Sequence, residues 1–295
     1  MLTIVETIGG SSFNILVLSF LQAGFANGKL ALSYNGNAFP LAPQVPALLS
    51  HLCSGFQIRR QILLSIGGWQ HRPTFDAIRS FGVPAFVRQL TEQVILPLGL
   101  EGIDLDLEPQ TGGLDQWMAV HAEYGKTIVD MTNEYKRLHP THVVTHAPVS
   151  SVAAELYVKP TRIAGLNASL LAATRVKRGN NIDWLNVQFY EGGAVEGGDI
   201  AGFYCDSLAA PLKQMQSETG IVRPLEFLTP LFEPAAKQPL QFCQQTIRAI
   251  DRRCAHLDVG GVNGIALWDY QQVAAKISEW SSGLQPALPS ELGKI

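Results

Sequence analysis

The stretch EGIDLDLEP at residues 101–109 sets a row of carboxyl groups inside an otherwise apolar run. Side chains of a β-strand point alternately to opposite faces, so Asp104, Asp106 and Glu108 would share one face. The isoleucine and leucines between them would face the other way, toward a layer of helices. A solvent-exposed acidic edge would not alternate with apolar residues in this manner, and burying unpaired charges is costly. The pattern therefore predicts a buried strand whose acidic face has a function.

Short apolar, β-branched runs like this one recur along the chain and alternate with helical patterns. The predicted strands are Asn14–Phe20, Gln61–Ile66, Gly102–Leu107, His142–His146, Trp184–Phe189, Leu225–Leu228 and Gly264–Leu267. Helical spacing of apolar residues predicts helices at Leu114–Leu138, at Leu240–Ala255 and around Phe86, Leu90 and Val94. The alternation predicts an α/β protein with a parallel sheet, either open or closed into a barrel.

The N-terminus is the weakest part of this pattern. The run Leu2–Val5 would supply an eighth strand, but only about eight residues separate it from the next run, fewer than a parallel crossover needs. The first strand–helix unit is therefore predicted to be degenerate or missing, or the chain to begin late. One domain is predicted over residues 1–282, followed by a tail rich in Pro, Ser and Gly at residues 283–295.

The composition is that of a compact globular enzyme, with 46% hydrophobic and 16% charged residues. A formal net charge of -3 gives no reason to expect nucleic acid or an anionic membrane as a partner. The apolar run Phe13–Phe20 is too short to span a bilayer and lacks the preceding basic segment of a signal peptide. The chain is therefore expected to be intracellular as it stands, and extracellular if an N-terminal segment is missing. Its oligomeric state stays open.

The cysteines and histidines show no metal-binding pattern. Cys53, Cys205, Cys243 and Cys254 include no Cys-x-x-Cys spacing, and the seven histidines form no His-Glu-x-x-His motif. An even number of cysteines permits disulfide bonds without requiring them, and four thiols are equally compatible with a chain of this size. We therefore expect no metal or other cofactor.

The acidic stretch has a specific family resemblance. Asp-x-Asp-x-Glu from Asp104 to Glu108, preceded by an acid at Glu101, resembles the Asp-x-x-Asp-x-Asp-x-Glu signature of glycoside hydrolase family 18, the chitinase-like family. Further short motifs follow in the family's order: Ser65-Ile66-Gly67-Gly68, Ala147-Pro148, Gln188-Phe189-Tyr190 and Trp268. The resemblance covers roughly residues 13 to 275. It departs from the family at residue 101, where Glu stands for the usual Asp.

The resemblance implies a (β/α)8 barrel and a retaining mechanism in which the sugar's own 2-acetamido oxygen attacks the anomeric carbon. Glu108 would protonate the leaving oxygen, and Asp106 would orient the acetamido group and stabilise the intermediate. Tyr190 would donate a hydrogen bond to the same acetamido oxygen, while Asp104 would lie deeper. Adjacent carboxyl groups cannot all be ionised at neutral pH, so protons would be shared along the row.

The same motifs predict the residues that bind the sugar. Trp268 would form the apolar floor at the cleavage point, and Trp69 would be an outer sugar platform. Gln188 would point into the barrel near the acids. Gly67 and Gly68 would let the chain pass close beneath the acidic row, although a simple tight turn explains them equally well.

The expected partner is chitin or another glycan that contains N-acetylglucosamine, cleaved by an endo-acting enzyme. The segments after Tyr190 and after Pro230 are too short for the inserted α+β domain of some family members, which predicts an open groove. Three alternatives remain. An endo-β-N-acetylglucosaminidase on N-linked glycans shares the motif. A chitin-binding lectin typically lacks the acid that this chain retains at Glu108. A barrel that binds Mg²⁺ with its carboxylates is disfavoured by the order of the other motifs.

Overall fold

The computed structural model divides into two compact units. Unit 1 is Met1–His146 with Ile163–Leu166, and unit 2 is Ala147–Arg162 with Asn167–Ile295. The structure describes residues 13–54, 60–108, 114–159, 170–176, 179–190, 198–219, 228–232, 239–257, 264–268 and 276–284. The predicted strand Leu2–Val5 and the predicted tail after Leu284 lie outside the described residues. A single domain over residues 1–282 stays a prediction.

Unit 1 is built on parallel strands that alternate with helices. Its strands are β1 (Ile15–Ala26), β2 (Lys29–Tyr34), β3 (Asn37–Ala38), β4 (Gln61–Gly68), β5 (Gly102–Leu107) and β6 (Val143–His146). Its helices are α1 (Gln44–Ser54), α2 (Arg72–Phe81), α3 (Val83–Leu90), α4 (Leu96–Leu98) and α5 (Leu114–Leu138), with a π-helical segment at Thr91–Ile95. β1, β4, β5 and β6 pair in parallel, in the order β1-β4-β5-β6. The predicted parallel α/β arrangement is therefore present in this unit.

The first strand of unit 1 is longer than predicted. β1 continues to Ala26 and turns back into β2, and β2 pairs antiparallel with both β1 and β3. The two turns are the Asn-Gly pairs at residues 27–28, with φ of 51° and 73°, and at residues 35–36, with φ of 46° and 78°. Two successive positive φ angles define the hairpin turn that Asn-Gly favours. The prediction that this strand ends at Phe20 was wrong, because the chain first turns back at Asn27-Gly28.

Unit 2 also contains parallel strands. Its strands are β7 (Arg175–Val176), β8 (Gly179–Asn180), β9 (Trp184–Gln188), β10 (Leu228–Phe232) and β11 (Ala266–Leu267). Its helices are α6 (Ser150–Val152), α7 (Leu170–Ala173), α8 (Ile200–Phe203), α9 (Ala210–Thr219), α10 (Leu240–Cys254) and α11 (Ile277–Leu284). π-helical segments lie at Ala153–Val158 and Tyr204–Ala209, and a 3-10 turn lies at Ala255–Leu257. β9, β10 and β11 pair in parallel. None of the described helices in the chain has the length and apolarity that a membrane crossing requires.

Two histidines are buried in unit 1. The Nε2 atom of His146, at the end of β6, lies 2.8 Å from Thr132 Oγ1 of α5. The Nδ1 atom of His121 lies 3.0 Å from the carbonyl oxygen of Trp117. Burial lowers the pKa of His121 to about 4. Burial, and repulsion from a charged His121, lower the pKa of His146 to about 3. Both rings are therefore neutral in the folded protein at neutral pH.

Because both histidine rings are neutral in the folded protein, we expect the folded state to lose stability in acid. The unfolded chain takes up protons below the ordinary histidine pKa of about 6.5, whereas the folded chain does so only near pH 4 for His121 and pH 3 for His146. The free energy of unfolding should therefore fall as the pH drops below about 6.5, by roughly 2–4 kcal/mol for both rings at pH 5. Chemical denaturation of the wild type and of His146→Leu between about pH 5 and pH 7 measures this free energy. His146→Leu should show a shallower pH dependence than the wild type. Equal slopes in the two proteins would contradict the assignment.

A disulfide bond lies within unit 2. Cys205, in the π-helical segment after α8, is bonded to Cys254 at the end of α10. Cys53 and Cys243 retain their thiols. The same end of α10 carries Arg253, whose guanidinium contacts the carboxylates of Asp199 and Asp206. The disulfide and these surface ion pairs hold α10 against the segment that begins at α8.

Reducing this bond should destabilise the protein. Cys205 and Cys254 are 49 residues apart in sequence, so the bond restricts a long loop of the unfolded chain. A loss of about 2–4 kcal/mol is typical of such a loop. Thermal unfolding with and without reductant should show a lower Tm on reduction for the wild type and for Cys53→Ser. Cys254→Ser should begin at the lower Tm and respond little to reductant. If reductant does not change the Tm of the wild type, the disulfide has no stabilising role.

Candidate active site

The predicted acidic row (Asp104, Asp106 and Glu108) lies on and just beyond β5. All six residues of β5 are buried between the parallel neighbours β4 and β6. Asp104 is 3% and Asp106 is 6% exposed. Glu108 is the first residue after the strand and is half-buried. The row therefore leads from the buried interior of the strand to its carboxyl end, where parallel barrels place their active sites.

Asp104 is held by hydroxyl groups from both neighbouring strands. Ser65 Oγ donates a hydrogen bond of 2.7 Å to Asp104 Oδ2. Thr145 Oγ1 donates a hydrogen bond of 2.5 Å to Asp104 Oδ1. Ser65, in β4, is 1% exposed and Thr145, in β6, is 0% exposed. Hydrogen bonds donated to a carboxylate favour its ionised form.

Neither hydroxyl was among the predicted site residues. Ser65 belongs to the Ser-x-Gly-Gly motif and lies two residues before Gly67, on the same strand face. Thr145 interrupts the apolar residues of β6. A polar residue inside a buried strand is therefore the signal that could have identified Thr145.

The glycines at the end of β4 lie where no side chain fits. Gly67 has a φ of 116°, and a Cβ atom there would lie 2.1 Å from the carbonyl oxygen of Asp106. Gly68 has a φ of 87°, and a Cβ atom there would lie 2.7 Å from the ring of Phe20. Both the positive φ and the close approach therefore require glycine. The two explanations left open by the sequence apply together, and Gly67 packs directly on the backbone of the acidic row.

Trp69 follows these glycines and is 41% exposed. Its ring centroid lies 6.3 Å from that of Trp117, which is 1% exposed in the first part of α5. The segment is also tied to β1, because Gln22 Nε2 lies 2.8 Å from His71 Nε2. Trp69 is thus supported from one side while part of its indole stays accessible, as a sugar platform requires.

The remaining predicted site residues belong to unit 2. Gln188 is 2% exposed at the end of β9, and its Nε2 donates a 2.8 Å hydrogen bond to the carbonyl oxygen of Ala147. Tyr190 follows β9 and is half-buried. Trp268 follows β11 and is also half-buried, and its backbone N–H donates to the carbonyl oxygen of Phe232. All three are at or just beyond the carboxyl ends of their strands, and their roles in binding stay predictions.

Within the part of the chain that the structure describes, no group of three or more His, Cys, Asp and Glu side chains is arranged to hold a metal ion. Two of the hydrogen bonds that Asp104 accepts come from protein hydroxyl groups.

Solved structures with a similar fold cover nearly the whole chain. A GH18 chitinase from Pseudoalteromonas aurantia is 18% identical, with a TM-score of 0.69 over 96% of this chain and 95% of its own. A GH18 chitinase from Cycas revoluta in complex with (GlcNAc)4 is 14% identical, with a TM-score of 0.53 over 96% of this chain and 95% of its own. A xylanase–α-amylase inhibitor protein is 16% identical, with a TM-score of 0.55 over 96% of this chain and 93% of its own. No protein-family model and no curated protein sequence matches the chain.

These similarities show the fold. The chain has the (β/α)8 barrel fold of the GH18 chitinases, and the fold class predicted from the acidic motif is confirmed. The inhibitor protein has the same fold, so the fold by itself does not define an activity.

The close approach of β4 to the acidic row gives a testable prediction. Gly67→Ala should lower the free energy of unfolding by at least about 2 kcal/mol, because the added methyl group meets Asp106 and the φ angle becomes strained. It should also abolish any activity that depends on the row. Gly24→Ala is the matched control, since a Cβ atom at Gly24 meets nothing within 4 Å. Chemical denaturation compares the two variants, and equal stability would refute the close packing.

Proposed function

We propose that this chain is an endo-acting glycoside hydrolase that cleaves β-1,4-linked N-acetylglucosamine polymers, with Glu108 as the general acid. The observation that supports it best is the buried acidic row on β5. Its inner member, Asp104, accepts hydrogen bonds from two hydroxyl groups, while Glu108 lies at the outer end beyond the strand. Closely spaced carboxyl groups resist full ionisation, so the outer member is suited to carry a transferable proton.

The proposed mechanism needs no protein nucleophile. The 2-acetamido oxygen of the sugar attacks the anomeric carbon while Glu108 transfers its proton to the leaving oxygen. Asp106, whose backbone is packed against Gly67, orients the acetamido group and stabilises the positive charge of the intermediate. Water then opens the intermediate and returns a proton to Glu108. The role of Tyr190 as a hydrogen-bond donor to the acetamido oxygen, and those of Gln188 and Trp268 in binding the sugar, stay predictions from the motifs.

The proposed substrate class has independent support. The similar protein from Cycas revoluta is described as a GH18 chitinase in complex with (GlcNAc)4. The half-exposed indole of Trp69 offers an apolar surface of the kind on which pyranose rings stack. An open groove predicts internal cleavage, and products of mixed length would accord with it. Exclusive release of dimers from chain ends would contradict it.

A binding protein without activity is the second candidate, because an inhibitor protein shares the fold. The carboxylic acid at Glu108 favours the hydrolase, since a binding protein has no need of a proton donor at that position. Incubation with chitin oligosaccharides and with a high-mannose glycoprotein, each with and without chelator, separates the candidates. Cleavage of the oligosaccharides that is indifferent to chelator supports the proposal. Cleavage of the glycoprotein alone indicates an endo-β-N-acetylglucosaminidase, and binding without cleavage indicates a lectin.

The role of Glu108 gives a further prediction. Glu108→Gln should reduce hydrolysis roughly 100- to 10,000-fold, because a positioned general acid contributes that much to the rate. Binding of chitin oligosaccharides should be largely retained, since the amide has the same size as the acid. Reducing-sugar release and isothermal titration calorimetry measure the two quantities. Glu92→Gln, at an exposed glutamate after α3, is the control and should hydrolyse at the wild-type rate. Wild-type turnover by Glu108→Gln would eliminate this residue as the acid.

A further inference from the structure

Thr145 is a polar residue at a position that packing alone would fill with an apolar one. It is 0% exposed in β6, where it follows Val143 and Val144. A buried hydroxyl group destabilises a fold unless it forms a hydrogen bond. The hydrogen bond that Thr145 Oγ1 makes is to Asp104 Oδ1. The hydrogen bond to Asp104, and not packing in the core, therefore explains why a hydroxyl group is present at residue 145.

The register of the sheet makes this hydrogen bond part of a symmetrical arrangement. Asp104 pairs with Ser65 on one side and with Thr145 on the other. Residues paired in this way point to the same face of a parallel sheet, so each carboxylate oxygen of Asp104 receives one hydroxyl donor. The orientation of the carboxylate plane is thereby fixed from both sides.

Thr145 is the more rigid of the two donors. A β-branched side chain in a strand has few χ1 rotamers, whereas a serine side chain turns more freely. The methyl group of Thr145 is buried with the rest of the side chain. Its hydroxyl oxygen is therefore held at the place where the carboxylate needs a donor, even when Ser65 rotates.

We propose that Thr145 is a positioning residue that keeps Asp104 ionised and fixed at the base of the acidic row. The negative charge on Asp104 disfavours further ionisation along the row, so the proton that the reaction uses stays at its outer end on Glu108. Thr145 is buried, and it acts on the reaction through Asp104 and not by touching the sugar. This inference rests on the proposed function, in which Glu108 gives up that proton.

Three variants of the full chain test the proposal. Thr145→Val keeps the shape and removes the hydroxyl, Thr145→Ser keeps the hydroxyl, and Thr127→Val removes a buried hydroxyl from α5 as the matched control. Thr145→Val should lower kcat on chitin oligosaccharides roughly 10- to 100-fold, the effect of losing a hydrogen bond to a charged group. Its KM should change little, and the acid limb of its pH–rate profile should move to higher pH. Thr145→Ser should recover most of the activity, and Thr127→Val should match the wild type.

A second measurement does not depend on activity. The pH at which the Asp104 carboxyl signal changes in a ¹³C NMR titration should rise in Thr145→Val and stay near the wild-type value in Thr145→Ser and Thr127→Val. A Thr145→Val variant with the wild-type titration and pH–rate profile overturns the proposal, and Thr145→Ala replaces it if Thr145→Val does not fold. If the wild type cleaves no substrate, the proposed function fails, while the titration still decides whether Thr145 controls Asp104.

Discussion

The structure of unit 1 depends on burying carboxyl groups inside a parallel sheet. The residues of β5 are buried, and a buried charged oxygen is costly unless it accepts a hydrogen bond. Asp104 obtains one donor from β4 and one from β6, and the carboxylate therefore connects three adjacent strands. The same requirement explains Gly67, whose missing side chain lets the end of β4 approach the carbonyl oxygen of Asp106. The end of β4 is thus packed closely against the backbone of the acidic row.

The local sequence predicted best those helices and strands whose hydrophobic pattern is long or uninterrupted. β5 and the 25-residue α5 begin and end at the predicted residues, because each repeats its period without interruption. The hairpin of β1 and β2 was missed because its signal is confined to two Asn-Gly pairs rather than spread over a repeating pattern. α2 is only 10 residues long, so its apolar pattern is short although Phe75 and Ile78 lie on one buried face. Short elements thus depend on turn chemistry and tertiary packing more than on periodicity.

The site shows the same division between local and distant information. The acidic row and the glycines are contiguous motifs, and the sequence predicted both. The donors to Asp104 are 39 and 41 residues away from it in sequence, so identifying them requires the register of three strands. The disulfide partners are 49 residues apart, and no local pattern around the four cysteines favours a bond between these two over four thiols. Residues that act in pairs across strands or helices become visible only once the fold is known.

The chain is only 18% identical to the GH18 chitinase from Pseudoalteromonas aurantia, although the two share a fold over nearly the full chain. The different demands on the apolar face and the polar face of the sheet explain how a fold persists at such low identity. A helix-covered apolar face requires volume and hydrophobicity, and many combinations of side chains meet that requirement. The inner face carries a few charged oxygens whose donors must lie at fixed distances, which far fewer residues can supply. Activity can therefore be gained or lost by changing a handful of polar atoms while the barrel stays intact, which fits a fold shared by chitinases and an inhibitor protein. For the function proposed here, the acidic row and its hydroxyl donors therefore matter more than the larger number of residues that build the barrel.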